Sequence, residues 1–180
     1  MSTEQAYLDD CILELKKLKK QADKAIAQVT DEHCFTTLDS EANSIALIMK
    51  HIAGNMRSRW TDFLTTDGEK PNRNRDSEFE RAQEDTRQKI MSLWENGWAL
   101  TLAAISSLKP EDLDRTVLIR KEPHTVLQAI HRQLTHYATH VGQIVLLAKH
   151  FAGANWQTLS VPKKKSQEFD VSKDGEQRKV

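Results

Sequence analysis

The stretch Gln133–Lys149, QLTHYATHVGQIVLLAK, decides how this chain is read. Leu134, Tyr137, Val141, Ile144 and Ala148 recur at helical spacing and form one apolar arc, which Leu127 and Ile130 extend upstream. His136, His140, Gln143 and Leu147 make a second stripe beside that arc. Two histidines four residues apart lie one turn apart on one helix face, within reach of a single ion. Pro123, His124 and Thr125 open this helix and Gly153 closes it, so it is expected to run to about residue 152.

A third imidazole comes from SIALIMKHIAGNMRSRW, Ser44–Trp60. Ile45, Ile48, Ile52, Met56, Arg59 and Phe63 define a stripe there, with His51 and Asn55 on its edge, where a side chain points into an inter-helix crevice. Asp39 or Ser40 is the expected cap of this helix. The remaining histidines are set aside. His33 lies in a connection, and His131 is on the opposite side of its helix from His136. His150 is displaced from His136 by roughly 21 Å along the axis, and His124, at the helix start, is too far from His140.

Two more helices complete the pattern. Residues 4–28 carry Tyr7, Cys11, Leu15, Leu18, Ala22 and Ile26 on one face. Residues 81–107 carry Ile90, Leu93, Trp94, Trp98, Leu102 and Ile105, the tryptophans serving as core or dimer-interface anchors. Residues 114–122, DRTVLIRKE, are β-branched and read as an extended crossover or a short hairpin. The expected fold is all-α: an antiparallel four-helix bundle over residues 1–160, with a longer crossover between its third and fourth helices. Residues 161–180 are expected to be a polar, mobile tail. Residues 65–80, TTDGEKPNRNRDSEFE, read either as a solvated loop or as a lid that brings Arg73 or Arg75 to an anionic substrate.

Composition removes several function classes. Among 180 residues, 26 are basic and 26 acidic, so no global field favours nucleic acid or a membrane surface. No apolar run is long enough to span a bilayer and no secretory signal opens the chain. Cys11 and Cys34 are too few for a disulfide framework, which points to a cytoplasmic protein with reduced thiols. Three neutral imidazoles suit zinc, nickel, iron or copper and leave coordination positions open, whereas structural zinc sites close with four protein ligands. No carboxylate stands out as a general base for hydrolysis.

IMKHIAGNMRSRW (Ile48–Trp60) and the HxxxHxGQI pattern from His136 to Ile144 resemble the DinB-like family of metalloenzymes, over roughly residues 4–152. TTDGEK and the following RNRD resemble a bacterial subfamily of that group. The resemblance implies a four-helix bundle, usually a homodimer, with a divalent metal (zinc or nickel, then iron) held by His51, His136 and His140. Some relatives are transferases that use a low-molecular-weight thiol such as bacillithiol, mycothiol or glutathione. On that reading the substrate is a small molecule, Gln143 and Asn55 orient imidazoles, and Arg59 pairs either with a carboxylate of the thiol or within the protein. The alternatives are a non-catalytic, metal-stabilised bundle in stress response and a metal-dependent hydrolase.

Overall fold

The computed structural model describes residues 2–168. They are mostly helical: α1 Thr3–Ile26, α2 Asp31–Phe35, α3 Ile45–Trp60, α4 Arg87–Ser106 and α5 Val126–Ala152. A small antiparallel sheet, β1 Thr116–Ile119 and β2 Glu122–Thr125, precedes α5. Each helix begins where a hydroxyl side chain accepts a first-turn N–H: Ser2, Thr30, Ser44, Thr86 and Thr125. Thr125 and Gln128 make a reciprocal capping box at the start of α5.

Several boundaries differ from the sequence expectation, each for a local reason. Asp39 caps a tight turn, its Oδ1 accepting the N–H groups of Glu41 and Ala42, so α3 waits for Ser44. Residues 81–86 are held off the helix because Asp85 accepts from the backbone N–H of Ala82 and pairs with Lys50 Nζ at 2.7 Å. Pro123 and His124 belong to β2, opposite Leu118 and Val117, and the helix starts three residues later than Pro123. The hairpin alternative for residues 114–122 therefore holds, and the protein is not purely α-helical. The expected tail is described only to Glu168; the rest lies outside the described residues.

The long helices pack α3 along α4 and α1 along α5, with further contacts of α3 with α5 and α1 with α4. Gly97 lets α4 approach α3 closely, since a Cβ there would lie 3.2 Å from Ala53 Cα. Trp94 and Trp98 are wholly buried, and Trp98 meets Tyr137 edge-on at 5.8 Å between centroids. Both tryptophans are thus core anchors and are not available to an interface. Leu127, expected in the core arc of α5, is 39% exposed. Among the described residues no helix is long and apolar enough to cross a membrane.

The hairpin and the segment after α3 are fastened to each other. The two-residue turn Arg120–Lys121 has positive φ at both positions (55° and 65°), a conformation that costs a non-glycine residue about 1 kcal/mol or more. Asp67 offsets that cost by accepting both turn N–H groups, at 2.9 and 2.7 Å. Ser58 of α3 clamps the same segment, donating to Gly68 O and accepting from Lys70 N. Residues 67–70 are therefore fastened to the body, whereas Pro71, Asn72, Asn74, Arg75 and Asp76 are exposed.

Candidate metal centre

Helices α3 and α5 bring three imidazoles together. His136 Nε2 stands 3.1 Å from His140 Nε2 and 3.4 Å from His51 Nε2, and the candidate ligand atoms of all three lie within 4.8 Å of one another. At a metal–nitrogen distance of about 2.0–2.1 Å, two imidazole nitrogens on a tetrahedral ion stand roughly 3.3 Å apart. The spacing thus fits one small divalent ion, and these three histidines form a group that can hold one.

The outer nitrogens fix the tautomers. His51 Nδ1 donates to Glu78 Oε2 at 2.9 Å, and His140 Nδ1 donates to Gln143 Oε1 at 2.8 Å. With the proton on Nδ1, each Nε2 presents a bare lone pair to the common centre. Phe79 stacks at a tilt against His51, 4.5 Å between centroids, and shields that ring. Such clustered acceptors repel one another unless a cation or a proton sits between them.

Proton affinity is low there. Burial first, then the neighbouring His140 and His51, push the His136 imidazole down to about 3. Burial also lowers His140, although its bond to Gln143 works in the opposite direction. His136 is therefore neutral, and available as a ligand, at physiological pH. Because the folded value lies below the 6.5 of an unperturbed imidazole, the native state binds fewer protons than the unfolded chain. The stability involved is complete above 6.5 and is lost as pH falls towards 3. Metal-free protein is expected to show a falling melting temperature from about pH 6.5 downwards, and His136→Ala is expected to flatten that profile. Thermal melts across the range check it.

Glu78 is the participant that sequence reading missed. It comes from a short 3-10 turn, Asp76–Phe79, in the segment after α3. Arg73 grips its carboxylate with two bonds of 2.8 Å, from Nε to Oε1 and from Nη2 to Oε2. Burial alone raises the Glu78 carboxyl, but the bonds from Arg73 and His51 outweigh it and hold the group below its ordinary value. Gly54 makes room for this: a Cβ there would overlap the Glu78 carboxylate. The only sequence signal was the mixed-charge run RNRDSEFE, which has no periodicity to mark one acid among several.

The remaining candidates divide. Gln143 sits against His140 as expected. Asn55 instead accepts from Tyr137 OH at 3.3 Å, a hydroxyl that also accepts from Trp60 Nε1, so it braces the core. Arg59 is 4% exposed, and its nearest carboxylate, Glu69, is 3.8 Å away. His33 stacks on Phe151, and His131 is exposed, away from the cluster. Truncating Gln143 to alanine is expected to weaken metal binding about tenfold while leaving stoichiometry at one ion, as measured by competition with a chromophoric chelator.

Fold and site together define a mostly helical protein with a three-histidine centre between two long helices. The family described as "Protein of unknown function (DUF1572)" matches residues 2–165, and the chain belongs to that family. Comparison with curated proteins finds no match.

Proposed function

We propose that the protein is a metal-dependent enzyme of the DinB-like group, its long helices forming that group's antiparallel bundle, and that it transfers a small thiol to an electrophilic substrate. One observation carries the reading: the Nε2 atoms of His51, His136 and His140 converge, with no fourth protein ligand in the group. Neutral donors leave the full charge of a divalent ion unquenched, and three leave it open to a further ligand. An ion bound there would lower the pKa of a thiol and make it nucleophilic at neutral pH.

The chain's own groups divide the remaining work. Glu78 and Gln143 hold two imidazoles in the tautomer that faces the centre. Phe79 keeps water from one side of His51. In the transfer itself the thiol proton goes to solvent, sulfur bonds to the electrophilic carbon, and the leaving group departs with its electron pair. Zinc or nickel suits this donor set best, and iron is the next choice. Hydrolysis is the weaker reading, because a base for metal-bound water is wanted at the centre. The nearest carboxylate, Glu78, sits behind His51 on Nδ1 and is paired with Arg73. A homodimer in a reducing cytoplasm completes the proposal, resting on the family resemblance and on two free, buried cysteines, Cys11 and Cys34.

Cobalt substitution tests the proposal. Titrating the cobalt-loaded full chain with glutathione or cysteine is expected to give a saturable sulfur-to-cobalt charge-transfer band, absent in His136→Ala. If chelation merely lowers the melting temperature and no thiol perturbs the cobalt spectrum, the protein is a metal-stabilised bundle and the transferase reading falls.

A further inference from the structure

Beside the three histidines lies a crevice of about 420 Å³, a volume that admits a small molecule. His51 and His136 form part of its wall. Most of the rest is cationic: Arg59 from α3, Arg73 and Arg75 from the following segment, Arg120 from the hairpin turn and Arg132 from α5 line it together with the neutral amides Asn55 and Gln133, and no carboxylate does.

The carboxylates behind that wall do not balance it. Glu69 is divided among Arg73 at 3.2 Å, Arg120 at 3.3 Å and Arg59 at 3.8 Å. Glu78 is taken by Arg73 and His51. Asp67 spends its oxygens on the backbone N–H groups of Glu69, Arg120 and Lys121. Counting all three acids, five guanidinium groups keep a surplus of two positive charges. Arg75 lies over the Phe79 ring at 5.0 Å, and Arg132 reaches only His124, at 3.5 Å.

Taken as whole residues, Arg59 is the most deeply buried of the five. It is 4% exposed, yet its Nε and Nη1 have no hydrogen-bond partner. A buried guanidinium with idle donors is costly unless something supplies the oxygens.

We infer that this crevice is a binding site for a doubly charged oxyanion, a phosphate or dicarboxylate group on a small molecule, held by Arg59 and Arg132 beside the histidine cluster. This deepens the proposed function by giving the charge of the molecule used there. It rests on that reading only for where the molecule's other end lies, because the arginines need no metal to bind an oxyanion.

The test is calorimetric titration of the full chain with inorganic phosphate, succinate and uncharged succinamide, with chelator present and again after zinc loading. Both dianions, or one of them, are expected to bind saturably in both metal states, and succinamide is not. The member that binds names the class of the group. Arg59→Met and Arg132→Gln are each expected to weaken that binding roughly ten- to hundredfold. Arg59→Met is also expected to melt higher than the parent, since it removes a buried charge whose ion pair with Glu69 is long, at 3.8 Å, whereas an arginine serving as a close structural ion pair would melt lower when replaced. Arg132 is exposed, so its variant keeps the test decisive should Arg59→Met fail to fold. Absence of saturable dianion binding in either metal state overturns the inference, as does unchanged affinity in Arg132→Gln. Zinc and thiol binding are read separately, so neither result decides the metal reading.

Discussion

His136→Ala is expected to abolish stoichiometric metal uptake while leaving the fold intact. His136 is the middle member of the cluster, its Nε2 within 3.1 Å of one partner nitrogen and 3.4 Å of the other. Without it two imidazoles remain, on different helices and with no third donor among the described residues to replace it. The loss in affinity should exceed the roughly hundredfold that removing an outer hydrogen-bond partner alone causes. The side chain is only partly buried, so its truncation opens no large core cavity. Metal analysis of protein dialysed against zinc should fall from one ion per chain to near zero. His131→Ala, on the exposed side of the same helix, should stay at one. Unchanged stoichiometry in His136→Ala would remove it from the ligand set.

The second large effect is expected at Glu78. Its carboxylate and the Arg73 guanidinium are both nearly inaccessible, with side chains 8% and 4% exposed. Glu78→Ala removes a bidentate partner from a buried charge, and breaking such a pair from one side costs about 3 kcal/mol or more. Glu69, still 3.2 Å from Arg73, keeps the loss at the low end. His51 loses the acceptor that fixes its tautomer, so metal affinity should also drop by about ten- to hundredfold. Urea denaturation of metal-free protein reads the first effect, and chelator competition reads the second. Glu78→Gln keeps an oxygen for His51 Nδ1 and should recover most of the metal affinity but little of the stability. A loss below about 1 kcal/mol in Glu78→Ala would mean that the segment relaxes around Arg73 and does not depend on the pair.

The histidine cluster was legible in the sequence because helical periodicity carries it. The His136–His140 spacing places two rings on one face, and the angle of His51 relative to Ile48, Ile52 and Met56 places a third at a crevice. The structure brings those three together. The pairings made by non-periodic chain were hidden, although the hairpin and Arg73 were among the readings of those segments. Glu78, Arg73 and Asp67 act through contacts that loop geometry creates, and no spacing rule separates them from their charged neighbours. Asn55 lies on the expected edge of α3 but turns to the Tyr137 hydroxyl, a partner on another helix. Trp94 and Trp98 had the spacing of a core or of an interface, and only packing distinguishes the two. The start of α3 was misplaced because Asp39, Ser40 and Ser44 are all good caps, and tertiary context chose Ser44.

The central claim is that three Nε2 atoms bind one divalent ion and leave it an open position. X-ray absorption at the metal edge of zinc-loaded protein measures this directly. The expected first shell is three imidazole nitrogens at about 2.0–2.1 Å plus one or more light oxygen scatterers, the oxygen giving way to sulfur when a thiol is added. A shell with sulfur before any thiol is added, or with fewer than three imidazoles, would contradict it.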